Sequence, residues 1–151
     1  MGGCKREQML RYPLRMLVVM LSLMLSASDT DDVAGLVRRA QTVAAKADAS
    51  WSDAQYTTYS NEVVAWRKEA QAVQGRPTLG KKDAIALLNA RATVAERYRT
   101  VLSTQPVPKS MSMLGEQATA VWKDSVNKWM RSLAAEAAAL KDEAKQRAKA
   151  P

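Results

Sequence analysis

The sequence predicts an all-α fold, an up-down-up-down four-helix bundle with an extended C-terminal helix. Apolar residues recur at intervals of three and four in four separate segments, which is the spacing of a buried helical face. Residues that cap or break helices bound these segments, and the short connections between them favour antiparallel neighbours. No segment alternates with period two over any length, so no sheet is expected. We divide the 151 residues into a leader over 1–28, a bundle over 29–133 and a helical extension over 134–151.

The leader, residues 1–28, has the layout of an export signal. A basic stretch ends at Arg15, the apolar run 16–25 follows, and the small residues Ser26-Ala27-Ser28 come next. Because the apolar run is shorter than the roughly 20 residues that cross a bilayer, we expect a signal that is cleaved. Two alternatives stay open, a membrane anchor retained over residues 14–27 and a helix of the core.

Segment one covers about residues 31–48. The polar triplet Thr30-Asp31-Asp32 supplies a cap and negative charge at the start of the predicted helix, where the helix dipole favours both. Its apolar face comprises Val33, Leu36, Val37, Ala40, Val43, Ala44 and Ala47.

Segment two covers about residues 53–74. Ser52 and Gln55 have the spacing of a capping box, and Gly75-Arg76-Pro77 ends the helix, since Gly suits a C-terminal cap and Pro cannot continue a helix. Its apolar face comprises Tyr56, Tyr59, Val63, Trp66, Ala70 and Val73.

Segment three covers about residues 80–103. It ends before Pro106 and Pro108, because each proline disfavours helical backbone in the residue that precedes it. Its apolar face comprises Ile85, Leu88, Ala92, Ala95, Tyr98 and Leu102, widened by Leu87, Val94 and Val101.

Segment four starts near Ser110 or Ser112 and extends to about residue 147. A helix of this extent is about 60 Å long, against about 30 Å for the two preceding segments, so residues 134–150 are expected to overhang the bundle. Either this overhang frays, or a partner covers Leu140 and its neighbours. The apolar face comprises Trp122, Val126, Trp129, Leu133, Ala137, Leu140 and Ala144, and we expect both tryptophans to fill core volume. Helix-supporting ion pairs are predicted for Asp124 with Lys128 and for Glu143 with Arg147.

The residue inventory argues against catalysis. The chain has no histidine and one cysteine, Cys4, so it cannot build a His/Cys metal site, a Ser-His or Cys-His nucleophile pair, or a disulfide within one chain. The pattern places no carboxylate pair in an apolar pocket, and there is no glycine-rich phosphate loop. We therefore expect no enzyme, no catalytic, cofactor-binding or metal-binding residues, and no cofactor.

The net charge of +8 indicates the kind of partner. It suits an acidic protein surface or anionic lipid headgroups. Nucleic acid is not expected, because the lysines and arginines are spread along every segment rather than gathered in one stripe.

Several turn and helix motifs point to a family. Gly75-Arg76-Pro77-Thr78-Leu79 precedes segment three, Leu88-Asn89-Ala90 and Tyr98 lie within it, and Pro106-Val107-Pro108-Lys109 opens segment four. Together with Trp66-Arg67-Lys68, these motifs resemble the lumenal photosystem II assembly and repair factors of the Psb-twenty-seven family. The resemblance covers about residues 31–130.

The resemblance implies a four-helix protein of the thylakoid lumen, peripheral to the membrane, whose leader is a thylakoid-transfer segment. Such a factor binds the lumenal loops of the inner antenna subunit in the photosystem II core while the oxygen-evolving centre is assembled or repaired, and it has no activity or metal of its own. On this interpretation the contact residues are basic or lie at turns: Arg67, Arg76, Pro77, Arg97, Arg99, Pro106, Pro108 and Lys109. The competing interpretation is that the prolines only end helices.

Two other functions remain open. The first is an accessory subunit of another membrane protein complex, held by a retained segment over residues 14–27, or a free bundle of a periplasm-like compartment. The second is an enzyme, which would need a deep polar pocket with carboxylates of perturbed pKa.

Overall fold

The structure, a computed structural model, describes residues 32–46 and 52–151, and within this part it is helical without strands. The predicted leader and the residues Thr30 and Asp31 lie outside the described residues. The helices are α1 over residues 32–45, α2 over Asp53–Gln74, α3 over Lys81–Thr104, α4 over Lys109–Ser112 and α5 over Glu116–Lys149. The all-α prediction and the long C-terminal helix are confirmed.

Helix α2 begins and ends where the sequence predicts. The Ser52 hydroxyl accepts the backbone N–H of Gln55, and the Gln55 side chain accepts the backbone N–H of Ser52 at 2.9 Å, so the capping box is formed. At the other end Gly75 is the C-terminal cap, and its N–H bonds to the carbonyl of Gln71 at 3.2 Å. Local chemistry therefore sets both ends of this helix.

Helices α1 and α2 run antiparallel. Arg39 pairs with Glu69 at 2.5 Å, and Lys46 pairs with Glu62 at 2.9 Å. Residue numbers therefore increase along α1 in the direction in which they decrease along α2. Between them the indole N–H of Trp66 donates to the carbonyl of Leu36 at 3.0 Å, which satisfies the one polar atom of a fully buried ring.

Helix α3 is the centre of the bundle. Its buried side chains cover a face wider than one stripe, as expected for a helix with more than one neighbour, while Asn89, Thr93 and Glu96 on the opposite face are exposed. They are Ala84, Leu87, Leu88, Ala90, Ala92, Val94, Ala95, Tyr98, Val101 and Leu102. The predicted apolar face is thus buried except for Ile85, which is half-buried against Leu88 and its neighbours.

The predicted fourth segment is two helices rather than one. Helix α4 ends at Ser112, and α5 begins at Glu116 after a turn whose Gly115 has φ +99° and ψ −177°. A side chain rarely adopts this backbone conformation, so glycine permits the change of direction at this point. The prediction of one continuous helix from about residue 110 is therefore wrong at its N-terminal end.

The C-terminal part of α5 does not overhang the bundle. Leu140 and Ala144 are buried in a second apolar cluster with Leu88 and Ala92 of α3. At the very end the ammonium group of Lys81 donates to the carbonyl of Ala150. The expected overhang of residues 134–150 is wrong, because α5 runs antiparallel to α3 and its C-terminal half lies along the N-terminal half of α3.

The surplus length of α5 lies at its other end. Tyr98 packs edge-to-face on Trp129, with ring centroids 5.1 Å apart. From this contact α3 continues a short way to its end at Thr104, whereas α5 reaches further back to its start at Glu116. The start of α5 therefore lies about 10 Å beyond the end of α3. The start of α5 and the short helix α4 therefore project from the end of the bundle.

Candidate protein-binding surface

The projecting end of the molecule carries uncovered apolar side chains. Met113 is 86% exposed, Leu114 73% and Val121 62%, and Trp129 nearby is 38% exposed. In the part of the chain that the structure describes, Val64 is the other large apolar side chain exposed to this degree. A concentration of exposed apolar side chains in one place is a common property of protein-binding surfaces.

The geometry of the turn explains why these side chains meet. Gly115 reverses the chain after α4, and the first two turns of α5 then lie beside the residues that precede it. Leu114, Val121 and Trp122 face one groove of about 590 Å³, which Met111 and Ala118 complete. We call Met111, Met113, Leu114, Val121 and Trp122 the apolar tip.

A second groove lies between α3 and α5 in the same half of the bundle, on the other side of α5 from the apolar tip. It has a volume of about 510 Å³, and arginines of both helices line it. Its walls are Arg99, Thr100 and Ser103 of α3 with Asn127, Met130, Arg131 and Ala134 of α5. We call it the cationic groove.

Charge at this end of the molecule is unbalanced. Among the described residues, Arg99, Lys109, Lys123 and Arg131 make no ion pair, whereas most cations elsewhere in the bundle pair with carboxylates. The nearby carboxylate of Asp124 is engaged by Lys128 at 2.7 Å. Glu116 and Asp53 are the unpaired carboxylates at this end of the described chain, so positive charge is in excess there.

Two of the predicted contact residues hold the bundle together instead of facing outward. Arg67 pairs with Glu136 of α5, and Arg91 approaches the same carboxylate at 3.8 Å. Burial lowers the pKa of Arg91 from its ordinary value, and the charge of Glu136 opposes that shift. Arg97 donates from Nε to the carbonyl of Ala44 at 2.9 Å, which ties α3 to the end of α1.

The remaining predicted contact residues divide between the two ends of the bundle. Arg76 and Pro77 lie in the connection between α2 and α3, and Arg76 pairs with Asp32 at 2.8 Å. Arg99, Pro106, Pro108 and Lys109 lie at the opposite end of α3, close to the apolar tip. Because α3 spans about 36 Å, the two sets do not form one contiguous surface.

The prolines have visible structural roles. The carbonyl of Pro108 accepts the N–H groups of Met111 and Ser112 at 2.9 and 3.0 Å, and Pro108 is the N-terminal cap of α4. Pro106 is exposed in the connection that ends α3. Both residues therefore shape the loop that presents the apolar tip, whether or not they also touch a partner.

Sequence reasoning missed the apolar tip and half of the cationic groove. Met111-Ser112-Met113-Leu114 is an apolar run directly before a glycine in a connecting region, and this signal could have marked an exposed turn. Arg131 carries no local signal, because only tertiary packing places it opposite Arg99. The two tryptophans also differ from expectation: Trp122 is half-buried at the tip and Trp129 is 38% exposed, so neither fills the core.

The aromatic hydroxyls form a small polar cluster inside the same half of the bundle. The hydroxyls of Ser60 and Tyr98 lie 2.5 Å apart, and the ring of Tyr98 meets Tyr59 edge-to-face at 6.0 Å. Burial raises the pKa of Tyr59 to about 12, and it raises the pKa of Tyr56 as well. These groups stay protonated at neutral pH, which suits a structural role.

The described residues contain neither a candidate metal site nor a membrane-spanning helix. Three or more His, Cys, Asp or Glu side chains do not gather anywhere in this part of the chain in a way that could hold a metal ion. Within the same part, each helix is either too short or too polar to cross a membrane. Comparisons with models of protein families, with curated proteins and with solved structures found no match to this chain.

Proposed function

We propose that this protein is a non-enzymatic accessory or assembly factor that binds a subunit of a membrane protein complex. The observation that carries the proposal is the apolar tip, where Met113, Leu114 and Val121 are largely exposed. Further along α5 the apolar face is buried, at Leu133, Ala137, Leu140 and Ala144. Leaving these side chains in water costs free energy that a partner surface would recover. The export-like leader supports a partner on the far side of a membrane or at its surface.

A more specific form of the proposal names photosystem II. Its support is the resemblance of Gly75-Arg76-Pro77-Thr78-Leu79 and Pro106-Val107-Pro108-Lys109 to motifs of the Psb-twenty-seven factors. In this form the protein acts in the thylakoid lumen and binds lumenal loops of the inner antenna subunit during assembly or repair of the oxygen-evolving centre. The second motif forms the base of the apolar tip, so the resemblance and the exposed surface point to the same end of the molecule.

The experiment that tests the specific form is affinity purification of the tagged protein from thylakoids, with subunits quantified by mass spectrometry. We expect photosystem II core subunits to co-purify. Their absence from the purified material would overturn the assignment to photosystem II.

The general form is tested with matched variants at exposed apolar positions. The double substitution Met113→Asp and Leu114→Asp places charge on the tip, and we expect it to abolish co-purification of the partner subunit. Val64→Asp is the control, because Val64 is also exposed but lies on α2 away from the tip. Equal loss in both variants, or in neither, would contradict a binding role for the tip.

The second candidate function is an accessory subunit of another membrane complex that keeps its N-terminal segment. The apolar run 16–25 favours it, since such a run also suits an anchor that is helped by flanking residues. Mass spectrometry of the mature N-terminus separates the candidates. A start at Ser28 or Asp29 excludes the anchor, whereas an intact leader supports it.

A further inference from the structure

The cationic groove has the chemistry of a carboxylate-binding site. We propose that Arg99 and Arg131 bind acidic side chains in a segment of the partner protein. This inference rests on the proposed function, since it specifies the partner's chemistry. It adds a residue, Arg131, that no motif in the sequence marks.

The hydrogen-bond donors of the groove differ in whether α3 already uses them. The hydroxyl of Thr100 donates to the carbonyl of Glu96 at 3.1 Å, and that of Ser103 donates to the carbonyl of Thr100 at 2.7 Å. These hydroxyl protons are used within α3. The N–H groups left to face the groove belong to the two guanidinium groups and to the amide of Asn127.

The carboxylates nearest to the two arginines along their helices are already engaged by other cations. Glu136, five residues after Arg131, pairs with Arg67, and the other two carboxylates pair with lysines. Glu96, one turn before Arg99, pairs with Lys141 at 2.6 Å. Asp124, two turns before Arg131, pairs with Lys128 at 2.7 Å, and this pairing lowers the pKa of Asp124. Among the described residues neither guanidinium group forms a direct ion pair, and the charge of Arg131 acts on Asp124 only as a lesser contribution to its lowered pKa. A carboxylate from outside would supply a direct partner.

The shape of the groove favours an acidic protein segment over a small inorganic anion. A guanidinium group binds the two oxygens of a carboxylate with parallel hydrogen bonds, and two such groups on facing helices suit neighbouring acidic side chains. Met130 and Ala134 add apolar wall to the same groove, which a peptide chain can contact and a bare phosphate ion cannot. The groove and the apolar tip use opposite sides of α5, so a partner would reach them with separate segments.

Binding of a labelled peptide to the full chain tests the inference. The probe is a short peptide with glutamates among alanines and leucines, and its control is the same peptide with glutamine in place of glutamate. We expect measurable binding of the glutamate peptide by fluorescence anisotropy, weaker binding at high salt, and binding of the glutamine peptide reduced about tenfold, since two exposed ion pairs contribute about that factor. Equal binding of the two peptides would overturn the proposal.

Variants assign the binding to the groove. Arg99→Ala combined with Arg131→Ala should weaken binding of the glutamate peptide about tenfold, and the corresponding lysine variants should keep part of it, because they retain charge without the planar fork. Arg38→Ala is the control, since Arg38 is an exposed arginine of α1 outside the groove. All three positions are exposed, so thermal unfolding should be unchanged and should verify folding. Full binding by the double alanine variant would refute the site.

Two further outcomes separate this inference from the proposed function. If inorganic phosphate displaces the peptide at concentrations where acetate does not, the groove is a phosphate site and the acidic-segment proposal is overturned. If the double alanine variant loses the peptide but keeps co-purifying with the membrane complex at wild-type level, the groove does not serve that partner and the inference fails, while the apolar tip as docking surface stands.

Discussion

At the scale of single residues, the buried tyrosines connect stability to pH. Burial raises the pKa of Tyr59 from 10.0 to about 12. The folded protein therefore holds the phenolic proton more tightly than the unfolded chain does. Its contribution is complete below pH 10 and is lost as pH rises from about 10 to about 12, because the unfolded chain ionises first.

We predict that Tyr59→Phe flattens the alkaline limb of the stability profile. The wild-type protein should lose up to about 3 kcal/mol of unfolding free energy across this pH range through this residue, whereas the variant should lose less. Urea unfolding at several pH values between 9 and 12 measures both curves. Parallel curves for the two proteins would show that Tyr59 ionises normally in the folded state.

Glu136 is the residue on which two arginines of the bundle converge. We predict that Glu136→Ala lowers the unfolding free energy by about 1–3 kcal/mol, because Arg67 and Arg91 then remain partly buried without their carboxylate. Asp142→Ala is the control, since Asp142 meets Lys145 in a solvent-exposed pair and its removal should cost at most about 0.5 kcal/mol. Similar costs for both variants, measured by urea unfolding, would mean that the Glu136 network is no stronger than a surface ion pair.

At the scale of helices, the turn between α4 and α5 depends on one glycine. Gly115 has φ +99° and Gly35 lies within α1, and at both positions an added Cβ would meet no atom within 4 Å. The two glycines therefore differ in backbone conformation rather than in crowding.

We predict opposite effects when the two glycines are replaced by alanine. Gly115→Ala should lower the unfolding free energy by about 1–3 kcal/mol through backbone strain. Gly35→Ala should raise it by about 0.5–1 kcal/mol through helix propensity. Chemical denaturation of both variants measures the two changes in unfolding free energy. If Gly115→Ala leaves it unchanged, the turn does not need a backbone conformation that favours glycine.

The C-terminal half of α5 offers a second test at this scale. Leu140 is 7% exposed and packs on Leu88 and Ala92, so Leu140→Ala should cost about 2–5 kcal/mol. Leu114→Ala, at 73% exposure, should change the unfolding free energy by less than about 0.5 kcal/mol. If the two substitutions cost the same, the C-terminal half of α5 is not packed against α3 in solution.

At the scale of the whole molecule, the axial offset between α3 and α5 decides which surface is available to a partner. We predict that backbone amides of residues 134–145 exchange slowly with solvent in the free protein, because their helix is packed. Amides of residues 116–122 should exchange fast and become slow when the partner binds, since this part of α5 projects beyond α3. Hydrogen exchange with mass spectrometry measures both regions. Fast exchange in residues 134–145 and slow exchange in residues 116–122 would support the C-terminal overhang that the sequence predicted.

The sequence by itself determined the helices and most of the buried face. The bounds of α2 follow from Ser52, Gln55 and Gly75, and the buried positions of α3 follow from its three-and-four spacing. These properties are local, because a helix forms through hydrogen bonds and caps between residues close in the chain. The ion pair of Asp124 with Lys128 was predictable for the same reason.

Only the tertiary structure decided where the functional surface lies. Arg131 meets Arg99 across a groove, and the free end of α5 is its start rather than its end, because packing against α3 sets how far one helix slides along the other. The apolar spacing within one segment does not specify this offset, because two helices with given apolar faces can pack in several registers. The apolar tip and the cationic groove are both products of this offset, whereas the helices that carry them are products of local sequence.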